Sequence, residues 1–525
     1  MKTLLDSYQT YFRDIWPILR DMSKRGIPIS EERRMELKAM IEREDARVTE
    51  EIKKIVPEEV LSTKQKNGLK RAPKNTDGLV EIEVTTQKEE KCTCLKKNRA
   101  TCPVCNGTGI VSVGTVLKRW AAPTAFNPNS KPQVIRFMKF MKHPVPKSAK
   151  KIDAEGNASD TTEVKDIERL FTKTKHPIYP LLIQKRQLTK VDGTYCEGWK
   201  PGRDGRIHST FSFGTATWQT ASKNPNAQNG IARGKTEMQQ RLCDAFNKMQ
   251  AAEPGHKIIN FDYRAFHVLT TGLEAESYQY MRLARLDMHS FLASEFLYGS
   301  GDKTLKSADT LFNLSDTELG DYLKWFKKDE KRKYIRDKQA KPTILGVGFG
   351  LGVRKLFDMN REYFDNMGQV QALRNQLETL FPEVFAWQKR IKAKAAEEGR
   401  LVSRYGAVRQ FFDVTHYDRR QQKWVAGDQA EQAVAFLPAN HAFGHIRWCL
   451  LNIRAKGYDS KYEFINTVHD SFKAHPLDEL VEECVSNVTE EMMRPSTILK
   501  HPTLCPNGLS VDVESAVGES NYDLH

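Results

Sequence analysis

Apolar and polar positions change rhythm along this chain, and the changes mark out its parts. Residues 5–55 carry helical spacing, with "YFRDIWPILRDMSKRGIPIS" broken at a Gly-Ile-Pro turn and Ser30 placed to cap the charged helix that follows. From 60 to 115 the pattern turns polar and lysine-rich, and "KSAKKIDAEGNASDTTEVKD" at 147–166 has linker composition. Between 200 and 300 short β-prone runs alternate with turns and end in the helix-like "ESYQYMRLARLDMHSFLASEFLY". Residues 316–400 are charged and mostly helical in period; beyond 400 short strands and helices mix. No fixed-period repeat appears, and the pattern predicts an α+β chain of several lobes. Two apolar, β-prone runs end in an aspartate. Ile258, Ile259 and Phe261 lead to Asp262; Phe464, Ile465 and Val468 lead to His469 and Asp470 before Phe472 resumes the pattern.

At 525 residues and 39% hydrophobic, the chain has material for more than one core, about three or four lobes by ordinary domain sizes. Lysine and arginine number 82 against 67 acidic residues, a net +15 spread over the whole length, which favours a polyanionic partner. A basic but otherwise ordinary enzyme has the same balance. No apolar run approaches the ~20 residues of a bilayer span, and "MKTLLDSYQTYFRDIW" lacks a secretory signal, so a cytoplasmic setting and no membrane partner are expected. Of nine cysteines, Cys92, Cys94, Cys102 and Cys105 crowd into "CTCLKKNRATCPVCNGTG", while the other five are scattered. In a cytoplasm-like compartment that cluster reads as a structural Zn²⁺ site with four protein ligands and no open position for chemistry; two disulfides or idle thiols are the alternatives.

Phosphoryl transfer by two metal ions about 4 Å apart needs carboxylates on rigid elements, and Asp262 and Asp470 are the candidates. Taken alone, an aspartate at a strand end is more often a turn or cap residue; together the two form a constellation. Between them, "KRKYIRDKQAKPTILGVGFGLG" puts Lys341, Leu345 and Phe349 at i, i+4 and i+8, one helical face with a cation and two apolar groups. Spacing alone leaves open whether Lys341 holds a triphosphate or is merely solvated.

Taken in order, these segments resemble family A DNA polymerases. "DGRIHSTFSFGTATWQTASKNPNAQN" (204–229) resembles the segment gripping the primer-template minor groove, "DYRAFH" resembles motif A, and "DMHSFLA" the following fingers segment. Lys341–Gly350 resembles motif B and "TVHDSF" motif C; "FNPNSKPQVIRFMKF" and "HPIYPLLIQKRQLTKVDGTY" resemble the thumb, and "GRLVSRYGAVRQF" and "AFLPANHAFGHIRWCLL" the palm before motif C. The resemblance covers about residues 5–60 and 120–500.

It implies a right-hand polymerase with an antiparallel palm sheet, helical fingers and thumb, plus a small zinc-binding insertion. Residues 1–60 would be a helical remnant of the exonuclease–thumb junction, 61–200 the thumb with a zinc module at about 88–115, 201–286 and 399–525 the palm, and 287–398 the fingers. The implied reaction adds dNTPs to a primer 3′-hydroxyl on primer-template DNA with two Mg²⁺ ions, Mn²⁺ being able to replace them. Asp262 and Asp470 would hold the metals. Lys341 and His289 would contact phosphates, Tyr263 lie under the sugar, Phe349 flank the nascent pair, and Leu345 pack beneath the base. Gln219, Asn226, Gln228, Asn229, Arg409, Asn440 and His469 would touch DNA. The "LGVGFGLG" form of motif B is similar to phage or prophage enzymes, which implies viral DNA replication in a bacterial host cytoplasm, with a separate exonuclease, helicase or primase as partners. No acidic set for proofreading precedes Asp204, so none is expected in cis.

Four departures accompany the match. Gln219 and Asn440 replace the usual arginine and glutamine of minor-groove reading, His267 stands for the glutamate that excludes a ribose hydroxyl, and Ser471 replaces the acid after the motif C aspartate. Asp337 occupies the place of the fingers arginine, four residues before Lys341. On a regular helix Arg336 points roughly 140° from Lys341 and Lys338 shares its face, so either is a candidate second triphosphate cation. A single-subunit RNA polymerase shares the palm and His267 is compatible with it; Gly346 and the PNAQN segment fit a DNA enzyme better. A catalytically silent DNA-binding subunit is the third reading, disfavoured by the retained Asp262, Asp470 and Lys341.

Overall fold

The computed structural model describes residues 4–61, 80–94, 102–121, 126–152, 158–213, 215–231, 234, 236–419 and 421–524. Much of the lysine-rich stretch (62–79, 95–101) and the middle of the second polar gap (153–157) lie outside the described residues. The chain forms two compact units, one of Met35–Glu197 and one of Met1–Arg34 with Gly198–His525. The second boundary follows Glu197. The first, at residue 34, lies inside a continuous helix, Glu31–Ile55, where the sequence offers no breaker.

The smaller unit is helical apart from short strands and one long ribbon. Strands β1 (Val80–Lys91) and β2 (Ile110–Ala121) pair antiparallel through twelve consecutive residue pairs, from Val80 with Ala121 to Lys91 with Ile110. An isolated two-stranded ribbon is marginal in water unless something fixes it. At its end the Cys92 amide donates to the Gly109 carbonyl (2.9 Å), leading directly into the cysteine cluster.

In the larger unit, a four-stranded antiparallel sheet organises the chain. It contains β3 (Ile258–Tyr263), β4 (Phe464–Val468), β5 (Ser471–Ala474) and β6 (Val513–Gly518) in the order β4-β5-β3-β6. Alternation divides β3 cleanly: Ile259, Phe261 and Tyr263 are buried in the core, while Asn260 and Asp262 face the other side. Phe472 on β5 is paired in register with Phe261 and stacks on Phe464 (ring centroids 4.9 Å), so apolar side chains fix the register that places Ser471 opposite Asp262.

After β3 the backbone turns sharply through Ala265 (φ +50°) into helix α1 (Phe266–Glu274), followed by α2 (Tyr278–Leu286) and α3 (Met288–Leu297). Asp287 caps α3 by accepting from the Ser290 amide. Two further helices complete the surroundings of the site, α4 (Lys341–Gly348) and α5 (Ala430–Ala455), the latter buried along most of its length.

Candidate active site

One cleft of about 360 Å³ in the larger unit is lined by Asp262, His267, Asp287, His289, Lys327, Arg336, Lys341, Leu345, Asp470 and Glu514, among others. Asp262 reaches it from the end of β3. Asp470 reaches it from the tight turn between β4 and β5, where Val468 and Ser471 pair and His469 takes a φ of +55°. A non-glycine residue there is uncommon and is held only by its surroundings. Those are the Ser471 hydroxyl donating to the Val468 carbonyl (2.9 Å) and the Thr467 hydroxyl donating to the Ser471 carbonyl (3.1 Å).

Burial, the Asp470 charge and the Glu514 charge push the Asp262 carboxyl up from 3.8 to about 7. Asp262 and Asp470 make no ion pair among the described residues, and hard oxygen donors of this kind suit Mg²⁺ or Mn²⁺. The shift also carries a stability consequence. The folded carboxyl holds its proton more tightly than the unfolded one, so its contribution to folding is full below about pH 4 and lost as pH rises through about 7. Without added divalent metal, Asp262→Asn is expected to melt above the intact chain at pH 8 and to coincide with it at pH 4, as thermal unfolding at the two pH values checks.

The cations come from the helical side. Ahead of α4 the chain makes one π-helical turn, Arg336–Ala340, in which the Lys341 amide donates to the Arg336 carbonyl five residues back. Pro342 lies in the first turn of α4 and lacks an amide hydrogen, which removes the competing four-residue bond to Lys338. Regular-helix geometry therefore misplaces these residues. Arg336 lines the cleft with Lys341, whereas the Lys338 ammonium lies over the Tyr363 ring, 5.0 Å from its centroid, and is not part of the lining. The Arg336 guanidinium is held by both oxygens of Asp287 (3.2 and 3.0 Å) and by the Ser290 hydroxyl (3.0 Å). Lys341 is exposed and makes no ion pair among the described residues. Burial, helped by Arg336 and Lys341 against the opposing pull of Asp287, lowers the His289 imidazole to about 4, so it is neutral at pH 7. The Nδ1 atoms of His267 and His289 are both buried with no hydrogen-bond partner among the described residues. His267 meets Phe349 edge-on at 5.5 Å.

Two expected roles need correction. Tyr263 borders the cleft, but strand alternation sends its ring opposite to Asp262; it is buried, and its hydroxyl donates to the Met492 carbonyl (2.9 Å). Asn440 is wholly buried in α5, its amide donating to the Tyr11 hydroxyl (3.2 Å) and the Thr217 carbonyl (3.0 Å), which leaves it no face for DNA. Gln228 supports the site from behind by donating to the Thr467 carbonyl of β4 (2.6 Å) and the Thr220 hydroxyl (2.8 Å). Gln219 accepts from the Thr217 hydroxyl, and Arg409 bonds Gln432 and lies over Phe411 (4.8 Å). Asn226, Asn229 and His469 are exposed. Sequence reasoning missed Arg264, Asp287, Lys327 and Glu514, all in the cleft lining.

In the smaller unit, each of the four clustered cysteines is a free thiol, with Cys92–Cys102 and Cys94–Cys105 sulfurs both 3.8 Å apart and all four within 4.8 Å of one another. Tetrahedral coordination at the usual Zn–S length of about 2.3 Å requires sulfur separations of about 3.8 Å. Gly107 and Gly109 take positive φ (81° and 75°) in the knuckle, and backbone amides of Cys105 and Val104 lower the Cys102 thiol to about 7.

Compared with known proteins, residues 112–304 match the profile of DNA polymerase family A. DNA polymerase I of Caldicellulosiruptor bescii is 32% identical over 181 residues, 32% of this chain and 19% of that protein. The thermostable DNA polymerase I of Thermus aquaticus is 24% identical over 401 residues, 75% of this chain and 41% of that protein. The chain thus spans less than half the length of these relatives. Among solved structures, the POL domain of Pol1 from M. smegmatis in complex with DNA primer-template and dNTP superposes with a TM-score of 0.61 at 16% identity, covering 97% of this chain and 70% of that one. The fold is that of a polymerase domain, mixed helix and sheet. The similarity to DNA polymerase family A is thus confined to residues 112–304 for the profile, and the chain is similar to DNA polymerase I of several organisms. No helix among the described residues is long and apolar enough to cross a membrane.

Proposed function

We propose that this chain is a template-directed DNA polymerase that extends a primer 3′-hydroxyl with dNTPs. The observation that carries the reading is the convergence of Asp262, from the end of β3, and Asp470, from the turn leading into its partner strand β5, on a cleft that also bears Lys341, Arg336 and His289. The sheet unit serves as palm, the helices from Met288 to Glu398 as fingers, and the smaller unit supplies the thumb. Asp262 and Asp470 hold the two divalent ions, which when bound acidify the primer hydroxyl and neutralise triphosphate charge. The chain's own work is positional. Lys341 and Arg336 clamp the phosphates, neutral His289 donates a hydrogen bond to them, and Phe349 and Leu345 pack against the nascent pair. The +15 charge favours the duplex this requires. The LGVGFGLG form of the fingers motif supports a role in viral DNA replication.

His267 beside Phe349 keeps a ribonucleotide-using enzyme as the second reading, because imidazole replaces a carboxylate where a ribose hydroxyl would lie. Steady-state extension with dNTPs and with NTPs separates the two. Selectivity of at least about 10²-fold for dNTPs, or about 3 kcal/mol in the transition state, is the expected result, and equal use of both overturns the DNA reading.

The four cysteines hold one structural Zn²⁺ that fixes the end of the β1–β2 ribbon. Metal analysis of the purified chain is expected to give one zinc per chain, falling below about 0.2 in Cys102→Ser. Limited proteolysis of that variant should cut first within β1–β2. Unchanged zinc content in the variant would remove the assignment.

A further inference from the structure

Besides Asp262, Asp470 and the Asp287 that pairs with Arg336, the cleft lining holds one more carboxylate, that of Glu514. Glu514, on β6, stands directly opposite Asp262 on β3 in the antiparallel register, and directly cross-strand side chains share one face of the sheet. On the other flank of Asp262, Ser471 of β5 has its hydroxyl donated to the Val468 carbonyl and is spoken for. Glu514 lines the same cleft as Asp262 and Asp470, and its carboxylate meets only the Arg264 guanidinium (2.9 Å) among described residues, with its side chain 68% exposed. No core contact explains an acid there.

We infer that Glu514 is a positioning carboxylate of the divalent-metal site, the third acidic group of the palm, supplied by β6 where Ser471 leaves β5 without one. The inference rests on the polymerase reading and deepens it. Arg264 is the counter-ion of Glu514; with divalent cations held by Asp262 and Asp470, the Glu514 carboxylate would accept from their water shell and Arg264 would be free to face phosphate. An outer carboxylate of this kind tunes metal affinity about 10- to 100-fold.

The test uses the full chain on a dideoxy-terminated primer-template with the next dNTP, with free Mn²⁺ read by electron paramagnetic resonance. The intact chain is expected to bind two Mn²⁺ ions. Glu514→Gln, an exposed and isosteric change, should weaken one of them by about 10-fold or more. Arg264→Ala should bind Mn²⁺ as tightly as the intact chain or more tightly, since it frees the carboxylate. Asp470→Ala is the reference for loss of the site. Unchanged Mn²⁺ affinity in Glu514→Gln while Asp470→Ala fails to bind would overturn the inference and leave the polymerase reading standing. Equal weakening in Arg264→Ala and Glu514→Gln would overturn it too, because the carboxylate would then act only through the arginine. No Mn²⁺ bound by the intact chain beyond that on dNTP alone would remove the polymerase reading and the inference with it.

Discussion

Asp470→Ala and Asp262→Asn are each expected to lower the rate of primer extension by about 10³-fold or more while leaving the thermal unfolding temperature within a few degrees of the intact chain. The size follows from chemistry: losing one ligand of a site that stabilises charge in phosphoryl transfer removes about 4 kcal/mol or more of transition-state stabilisation. The survival of the fold follows from structure. Asp470 lies on a surface turn whose geometry is set by the Ser471 and Thr467 hydroxyls and by the Phe464–Phe472 stack, none of which the substitution touches. Asp262 is already disfavoured as an anion by its burial and by Asp470 and Glu514, so a neutral isostere relieves repulsion. Single-turnover extension with circular dichroism on the same samples checks both halves. Retention of more than about a tenth of the rate in either variant contradicts the site.

The second large effect separates two neighbouring cations. Arg336→Ala is expected to raise the KM for dNTP by about 10- to 100-fold, since a charge-assisted bond to phosphate contributes about 1.5–3 kcal/mol, whereas Lys338→Ala changes it less than about twofold. The π-helical turn decides this by carrying Arg336 to the cleft and leaving Lys338 over Tyr363. Arg336→Lys should recover only part of the loss, because an ammonium keeps the charge without the planar fork that Asp287 now holds. Arg336 must exchange Asp287 for phosphate when nucleotide binds, so Asp287→Asn is expected to alter KM more than the chemical step. Nucleotide titrations under steady-state conditions give these values. An unchanged KM in Arg336→Ala would sink the assignment of Arg336 as the second cation.

Both aspartates were legible because each ends an apolar, β-prone run, a signal that survives without knowledge of the partner strand. Their meeting was legible only through the resemblance, since β3 and β5 are some 200 residues apart and register is set by the Phe261–Phe472 pairing rather than by any local pattern. Tyr263 was misread against a rule visible in the sequence: neighbours in a strand face opposite ways, so a cleft-facing Asp262 sends Tyr263 to the core. Asn440 was misread because what buries it, Tyr11, lies 429 positions away. The Arg336–Lys338 ambiguity came from assuming 3.6 residues per turn through Pro342, where the chain widens to a π-turn. Glu514 escaped notice because it sits in the alternating stretch "VDVESAVG", which reads simply as a half-exposed strand. The cysteine cluster was the reverse case, a compact local signal whose four sulfurs lie within 4.8 Å of one another.

The measurement that bears most directly on the central claim is single-nucleotide extension of a labelled DNA primer on DNA templates differing only in the next base, with Mg²⁺ and one dNTP at a time. The account predicts a one-nucleotide longer product only with the complementary dNTP, and none with Asp470→Ala. No extension by the intact chain, or extension indifferent to the template base, would contradict it.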